Sequence, residues 1–204
     1  MSTSERSYHH GDLRAALVAS AVEMLESGEP YSMRAVARRA GVSPTAPYRH
    51  FPDRDALDSA VAVEGFRDLR RALAEALEED TGTAEPFDVL ARLAVAYVGF
   101  ALHRPAVFRL MFGHECDEED SDRVQASQAL HALLGDVLAR LVPEQTSPAL
   151  ATALWSLAHG MAFLHLDGKY RPEPFDEVSG RVRAAMEAVL GLGAARPPAD
   201  PLRA

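Results

Sequence analysis

A single cysteine, Cys116, stands in a chain of 204 residues, so no internal disulfide can form. No uninterrupted apolar run reaches the roughly 18–20 residues that a membrane-crossing helix needs. The longest attempt, LARLAVAYVGFALHRP, is interrupted by Arg92 and closed by His103, Arg104 and Pro105. The N-terminal MSTSERSYHHGD has no apolar centre of the kind a secretory signal carries. These absences predict a cytoplasmic protein with no membrane partner. Strand-like alternation with period two is missing, and so is any internal repeat. A Gly-rich phosphate loop, a Gly-x-Ser-x-Gly elbow and a His-Glu-x-x-His helix are missing too. The sequence therefore predicts no catalytic residue, no cofactor and no enzyme. The segment HECDEED gathers His114, Glu115, Cys116 and Asp117, but their spacing matches no closed zinc site. We expect a solvated acidic loop there and no metal.

The formal net charge of −9 argues against a nucleic-acid partner until its distribution is considered. Between residues 34 and 54 stand Arg34, Arg38, Arg39, Arg49 and Arg54, with Asp53 the only acid. The acidic excess lies elsewhere, in ALEEDTGTAE and HECDEEDSD. One short region is basic while the remainder is acidic.

Apolar spacing predicts an all-α protein of about nine helices. The first covers about residues 12–27, with Leu13, Leu17, Ala21 and Met24 on one face, Asp12 as cap and Gly28 as stop. A second, MRAVARRA, starts after Ser32 and ends at Gly41, where a positive φ carries no Cβ penalty. Asp53 caps a long fourth helix reaching about Asp80, and further helices follow near 85–103, 105–112, 120–141, 147–167 and 175–192. The predicted domains are a disordered arm (1–7), a small basic head (8–54), a larger helical body (55–192) and a Pro-rich tail (193–204). His9 and His10 belong either to an arm that touches DNA or to a disordered terminus.

The third helix falls in GVSPTAPYRHFPDRDAL, which holds three prolines. With Ser43 as cap, Pro44 occupies the first helical position, where its missing N–H has no intrahelical partner to lose. Pro47 then removes only the bond to the cap's carbonyl, and it strains Ala46. The prolines thus frame a helix of about two turns with a tight, irregular start, and Pro52 ends it. A helix this short needs a scaffold. The first helix supplies one by packing behind Val42, Pro47 and Phe51. The result reads as helix–turn–helix, with Thr45, Tyr48, Arg49 and His50 outward. Phe51 reads as core, and Arg38 and Arg39 as a solvated face.

SMRAVARRAGVSPTAPYRHFPDRDAL resembles the DNA-binding head of the TetR family of transcriptional repressors, and YHHGDLRAALVASAVEML resembles the first helix of one branch. That branch carries a Trp-x-x-x-His-Gly element, here Trp155, His159 and Gly160. The resemblance implies phosphate contacts from Tyr48, His50 and Arg54, and from Ser32 at the start of the second helix. Arg34 and Thr45 are the candidates for base edges: Arg can grip guanine with two bonds and Thr can touch a thymine methyl. Ser43 and Arg49 complete the DNA-binding set. Ala46 and Pro47 depart from the family pattern, Pro47 standing where Leu or Phe is common.

The resemblance also implies a homodimer through the last two helices, closing as a four-helix bundle in which Ala149, Ala153 and Gly160 permit close approach. A pocket for a hydrophobic effector would lie between the long fourth helix and the helix at 147–167. Its candidate residues are Phe66, Phe100, His103, Phe108, Met111, Phe112, Trp155 and His159. Trp155 and His159, four apart, share a helix face. His159 could line the pocket, bond within the core or sit at the dimer seam, whereas His159 and His165 are six apart and cannot chelate together. The function predicted is a transcriptional repressor that holds a pseudo-palindromic operator as a homodimer and is released by a small ligand. The rival reading is a helical binding module or enzyme whose head no longer binds DNA specifically.

Overall fold

The computed structural model describes residues 13–78, 85–113 and 121–194. Eight α-helices run in order: α1 (Leu13–Glu26), α2 (Met33–Arg39), α3 (Arg54–Glu78), α4 (Pro86–His103), α5 (Pro105–Gly113), α6 (Ser121–Leu141), α7 (Pro148–Leu166) and α8 (Phe175–Ala194). A single 3-10 turn, Ala46–Arg49, stands between α2 and α3. No strand occurs among the described residues. The expected arm, the Asp12 cap, the acidic segment 114–120 with its candidate metal ligands, and residues 195–204 lie outside the described residues. The fold is the expected all-helical one, and α8 continues to Ala194, into what was read as tail.

Local chemistry accounts for the helix ends. Asp53 Oδ1 accepts from the Ala56 N–H at 2.8 Å, so α3 starts where an aspartate cap was expected. Ser32 and Ser147 cap α2 and α7 by accepting from Ala35 and Leu150. Helix α2 ends on Gly41 at φ +73, with Val42 N–H bonded to Ala37 O and Gly41 N–H to Arg38 O. This double closure needs a left-handed residue, and glycine provides it.

The chain divides into two compact units, Met1–Phe66 with Ala106–Ala126 and Arg67–Pro105 with Ser127–Ala204. This division differs from the expected boundary at residue 54. The first part of α3 and α5 from Ala106 onward belong with the head, and both α3 and α6 contribute residues to each unit. In the first unit α1 packs on α2, burying Leu17, Val18, Ala21 and Met24 against Val36 and Ala37. Phe66, Phe108 and Met111 are also fully buried there.

In the second unit α4 packs on α7 and α8. By length and composition α4 and α7 could each cross a membrane, with mean hydropathies of 1.2 and 1.3, although the run lengths in the sequence predicted no such helix. A single Arg92 does not offset the surrounding Val, Ala and Leu. For α4, 44% of the apolar window is buried within the fold, as in a core helix; for α7 the share is only 28%.

Candidate nucleic-acid interface and apolar cavity

The three prolines produce a tighter structure than the two-turn helix the sequence predicts. Ser43 O accepts from Ala46 N–H at 3.0 Å, a bond three residues long, and the chain continues as one 3-10 turn over Ala46–Arg49. The cap position is Thr45, not Ser43, and Pro47 lies in the first turn. The physical reason is that Ala46 precedes a proline and avoids α geometry, while Pro44 and Pro47 have no N–H to donate. His50 and Phe51 then both donate to Pro47 O at 2.9 Å, closing the turn.

Two side chains anchor this turn from below. Pro47 is buried and Phe51 is 2% exposed. Burying a ring of that size is worth about 1.5–3 kcal/mol, which offsets part of the cost of ordering four residues that have no helical stability of their own. The Arg14 guanidinium lies 5.2 Å over the Phe51 ring, so α1 reaches the same anchor.

Everything expected to meet DNA faces outward. Ser32, Arg34, Ser43, Thr45, Tyr48, Arg49, His50 and Arg54 are all exposed, and Tyr48 is 51% exposed despite its large ring. The structure brings these eight into the single unit that holds α2, the 3-10 turn and the start of α3. Ser43 Oγ and Thr45 Oγ1 are 3.2 Å apart, so the two hydroxyls orient one another. Ser32 uses its oxygen to cap α2.

The basic character is more local than the count of arginines suggests. Arg39 pairs with Glu23 at 3.0 Å and with Glu29 at 2.9 Å. Those carboxylates hold its guanidinium in the charged state, while bonds from Ser27 and Arg39 pull the Glu29 carboxyl below its ordinary range. Arg54 Nε lies 3.4 Å from Asp58 Oδ2, and its guanidinium sits 4.8 Å over the Tyr31 ring. Sequence reasoning passed over both neighbours. Asp58 could have been found from its four-residue spacing to Arg54, but nothing local marks Tyr31.

The eight candidate pocket residues separate into distinct places. Phe66, Phe108, Met111 and Phe112 cluster inside the first unit, with Phe66–Phe112 centroids at 5.4 Å and Phe108–Phe112 at 4.9 Å. Phe100 is half-buried on α4 and His103 is exposed at its end. Trp155 alone lines a cavity, and His159 lies next to it.

That cavity lies within the second unit, is partly open to solvent and holds about 60 Å³ of space. Leu73 of α3, Leu90 and Tyr97 of α4, Leu134 of α6, Trp155 of α7 and Met186 of α8 are among its walls. No carboxylate, guanidinium or ammonium group lines it. Tyr97 and His159 are 2.9 Å apart, hydroxyl to Nδ1, and the His159 ring is stacked at a tilt 5.3 Å from Trp155. Burial lowers the pKa of His159, and it raises that of the Tyr97 phenol. The Trp155 Nε1 is buried near Tyr97 with no partner in hydrogen-bond geometry among the described residues. Among the described residues no group of histidine, cysteine and carboxylate side chains could hold a metal ion.

Two family models cover the chain. Residues 17–61 match the bacterial regulatory proteins of the tetR family, and residues 90–199 match the tetracyclin repressor-like C-terminal domain. The chain belongs to the TetR family of transcriptional regulators. A solved protein of unknown function from Rhodococcus sp. RHA1 is 34% identical, with a TM-score of 0.75 over 91% of this chain and 98% of that one. The nucleoid occlusion factor SlmA of Serratia proteamaculans (strain 568) is 27% identical across 82% of this chain and 90% of its own length. The regulator LfrR from Mycobacterium smegmatis, solved in complex with proflavine, shares the fold at 17% identity, with a TM-score of 0.59 over 86% and 94% of the two chains.

Proposed function

We propose that this regulator is a repressor that binds a pseudo-palindromic operator as a homodimer and is released by an uncharged, mainly apolar ligand. One observation carries the DNA reading: eight polar or basic residues of the head are exposed around a turn whose apolar residues face inward. In this reading Tyr48, His50, Arg54 and Ser32 hold phosphates and fix the register. Arg34 and Thr45 meet base edges, and Ser43 and Arg49 flank them. Its place of action is wherever the DNA is, in the cytoplasm.

Helix α7 supports the dimer. It is apolar throughout, yet Thr152, Ser156, Gly160 and Leu164 recur every fourth residue on an exposed face, beside the exposed Ala153. On α8, Gly180, Ala184 and Ala188 recur in the same way. Small residues in two adjacent rows suit close packing against a second copy. Two heads would then read successive major grooves about 34–36 Å apart.

The cavity supports a ligand. Its walls are almost wholly apolar and carry no carboxylate, guanidinium or ammonium group, which suits an apolar ligand. LfrR, a regulator of the same fold, was solved with proflavine. Helix α3 carries both Arg54 and the cavity residue Leu73, so a ligand that favours another setting of α3 would weaken operator binding. A hundredfold weakening needs about 2.7 kcal/mol of coupling.

The test is selection of random duplexes by the purified protein, then titration of the enriched duplex at two salt concentrations. An inverted repeat with fixed half-site spacing is the expected product. Arg34→Ala should relax the preference at one position, while Tyr48→Phe should weaken all sequences alike. Failure to enrich any motif would overturn the operator reading.

A further inference from the structure

A buried acid beneath an exposed arginine calls for an explanation. Asp58 is one of three buried polar or charged residues in the described core, only 8% exposed, yet it lies on the first turns of α3 beneath the head's DNA-facing side chains. Its two oxygens are divided between two partners. Oδ1 accepts the Tyr31 hydroxyl at 2.7 Å, and Oδ2 faces Arg54 Nε at 3.4 Å. Tyr31 closes the triangle, because the Arg54 guanidinium lies 4.8 Å over its ring. The phenol is thereby confined: burial and the Asp58 carboxylate both push its pKa up, so it remains a hydroxyl donor.

This division matters for the arginine. A carboxylate with both oxygens available takes a guanidinium by two parallel bonds and competes with any phosphate. Here the Tyr31 hydroxyl occupies one oxygen, and the other meets only Nε, the nitrogen nearest the chain. The Arg54 guanidinium carbon lies 4.8 Å from the centre of the Tyr31 ring, which narrows the space through which the group can turn. The Arg54 side chain keeps 56% of its surface exposed.

We propose that Tyr31 and Asp58 are positioning residues: together they hold the root of the Arg54 guanidinium so that its outer nitrogens are pre-aimed at a DNA phosphate. The inference rests on the DNA-binding reading above and adds to it two residues that touch no DNA themselves. Holding a long, rotatable cation in advance lowers the conformational cost that it would otherwise meet on binding.

The experiment is a double-mutant cycle on the full-length chain, read as affinity for a mixed-sequence duplex across a salt series. Phosphate contacts act on any sequence, so this probe does not depend on the operator being known. Arg54→Ala should reduce the salt slope by about one. Tyr31→Phe changes no charge and keeps the ring, and should weaken binding roughly three- to tenfold, the net scale of one ordinary hydrogen bond, because the loss reaches the DNA only through Arg54. In the Arg54→Ala background the same change should have no effect. Asp58→Asn gives a result of opposite sign for the two explanations: loss of a negative charge alone would tighten binding, whereas loss of positioning weakens it. Arg54→Lys should keep the salt slope but become insensitive to Tyr31→Phe, since an ammonium has no flat face to rest on the ring.

Equal effects of Tyr31→Phe in both backgrounds would make it a fold-stabilising residue only and overturn the proposal. Tighter binding by Asp58→Asn would do the same, as would an unchanged salt slope for Arg54→Ala. An unchanged salt slope would also remove Arg54 from the proposed phosphate contacts, whereas the operator reading itself stands or falls on the duplex selection.

Discussion

The Tyr97 hydroxyl and His159 Nδ1 lie 2.9 Å apart and join α4 to α7 beside the apolar cavity. Burial disfavours the charged imidazolium, so the pKa of His159 is lowered in the folded protein. A neutral ring can accept the Tyr97 proton at Nδ1; a charged ring cannot. Between the ordinary pKa of 6.5 and the lower folded value, the unfolded chain binds the extra proton and the folded chain does not. The associated stability is therefore complete above about pH 6.5 and declines as pH falls below it. The expected outcome is a melting temperature that falls between neutral pH and pH 5 more steeply for the native chain than for His159→Gln. Parallel curves would show that His159 contributes nothing to the acid sensitivity.

At Gly65, α3 lies close against the side chains of α5. A Cβ built there would lie 2.6 Å from Met111 Sδ and 2.8 Å from both Met111 Cγ and Val107 Cγ1. Gly65→Ala overpacks this contact and should destabilise by about 1–3 kcal/mol. Gly65→Ala combined with Met111→Ala should recover part of that loss by making room. Gly41→Ala, which meets nothing within 4 Å but sits at φ +73, should lose about 1–2 kcal/mol from backbone strain alone. Denaturant midpoints on the three variants separate the causes, because only the steric one responds to the second substitution.

Glu26, in the last turn of α1, also serves a different helix. Its oxygens accept from the Ala106 and Val107 N–H groups at 3.4 and 3.3 Å, at the start of α5. These are two of the donors a helix leaves unpaired, and the carboxylate also meets the positive end of the helix dipole. Glu26→Ala should lower stability by about 1 kcal/mol, within the range for loss of a helix cap. Hydrogen exchange should speed up at the first amides of α5 and leave α2 as it was. Uniform exchange across the head would show the loss to be global.

The exposed row on α7 predicts the state of association. Ala153→Glu places a charge within that row of small residues, where a second copy would have to bury it. Sedimentation should show a single chain where the native protein sediments as a pair. The far-ultraviolet helix signal should be retained, since Ala153 is exposed and its replacement disturbs no core contact. An unchanged sedimentation coefficient would place the seam elsewhere.

The sequence made helix boundaries legible wherever a single residue controls them. Asp53 starts α3, Gly28 and Gly41 stop α1 and α2, and each did so through local chemistry that spacing can report. The direction in which Tyr48, Arg49 and His50 point was legible too, because Pro47 and Phe51 offered the alternative, inward face. The cavity was not. Phe66, Phe108 and Met111 have the same helical periodicity as Leu90 or Leu134, and one helix's pattern does not report whether its neighbours leave a gap. Aromatic size drew attention to residues that in fact fill the core. The Tyr31–Asp58 bond crosses 27 residues and two helices, with no repeating signal to announce it. The proline-rich run was half legible: its strain at Ala46 was readable, but how far the turn would tighten depended on where Ser43 O found a donor.

That tightening limits how much one head can recognise. In the operator reading proposed above, four residues in a 3-10 turn present two or three side chains to a groove, and three side chains resolve about three or four base pairs. A word so short recurs by chance throughout a genome that offers on the order of a million or more competing sites. A single copy could settle almost anywhere. Only repetition at a fixed interval makes the message rare, so in the proposed dimer the brevity imposed by Pro44 and Pro47 turns the distance between two heads into part of the text they read.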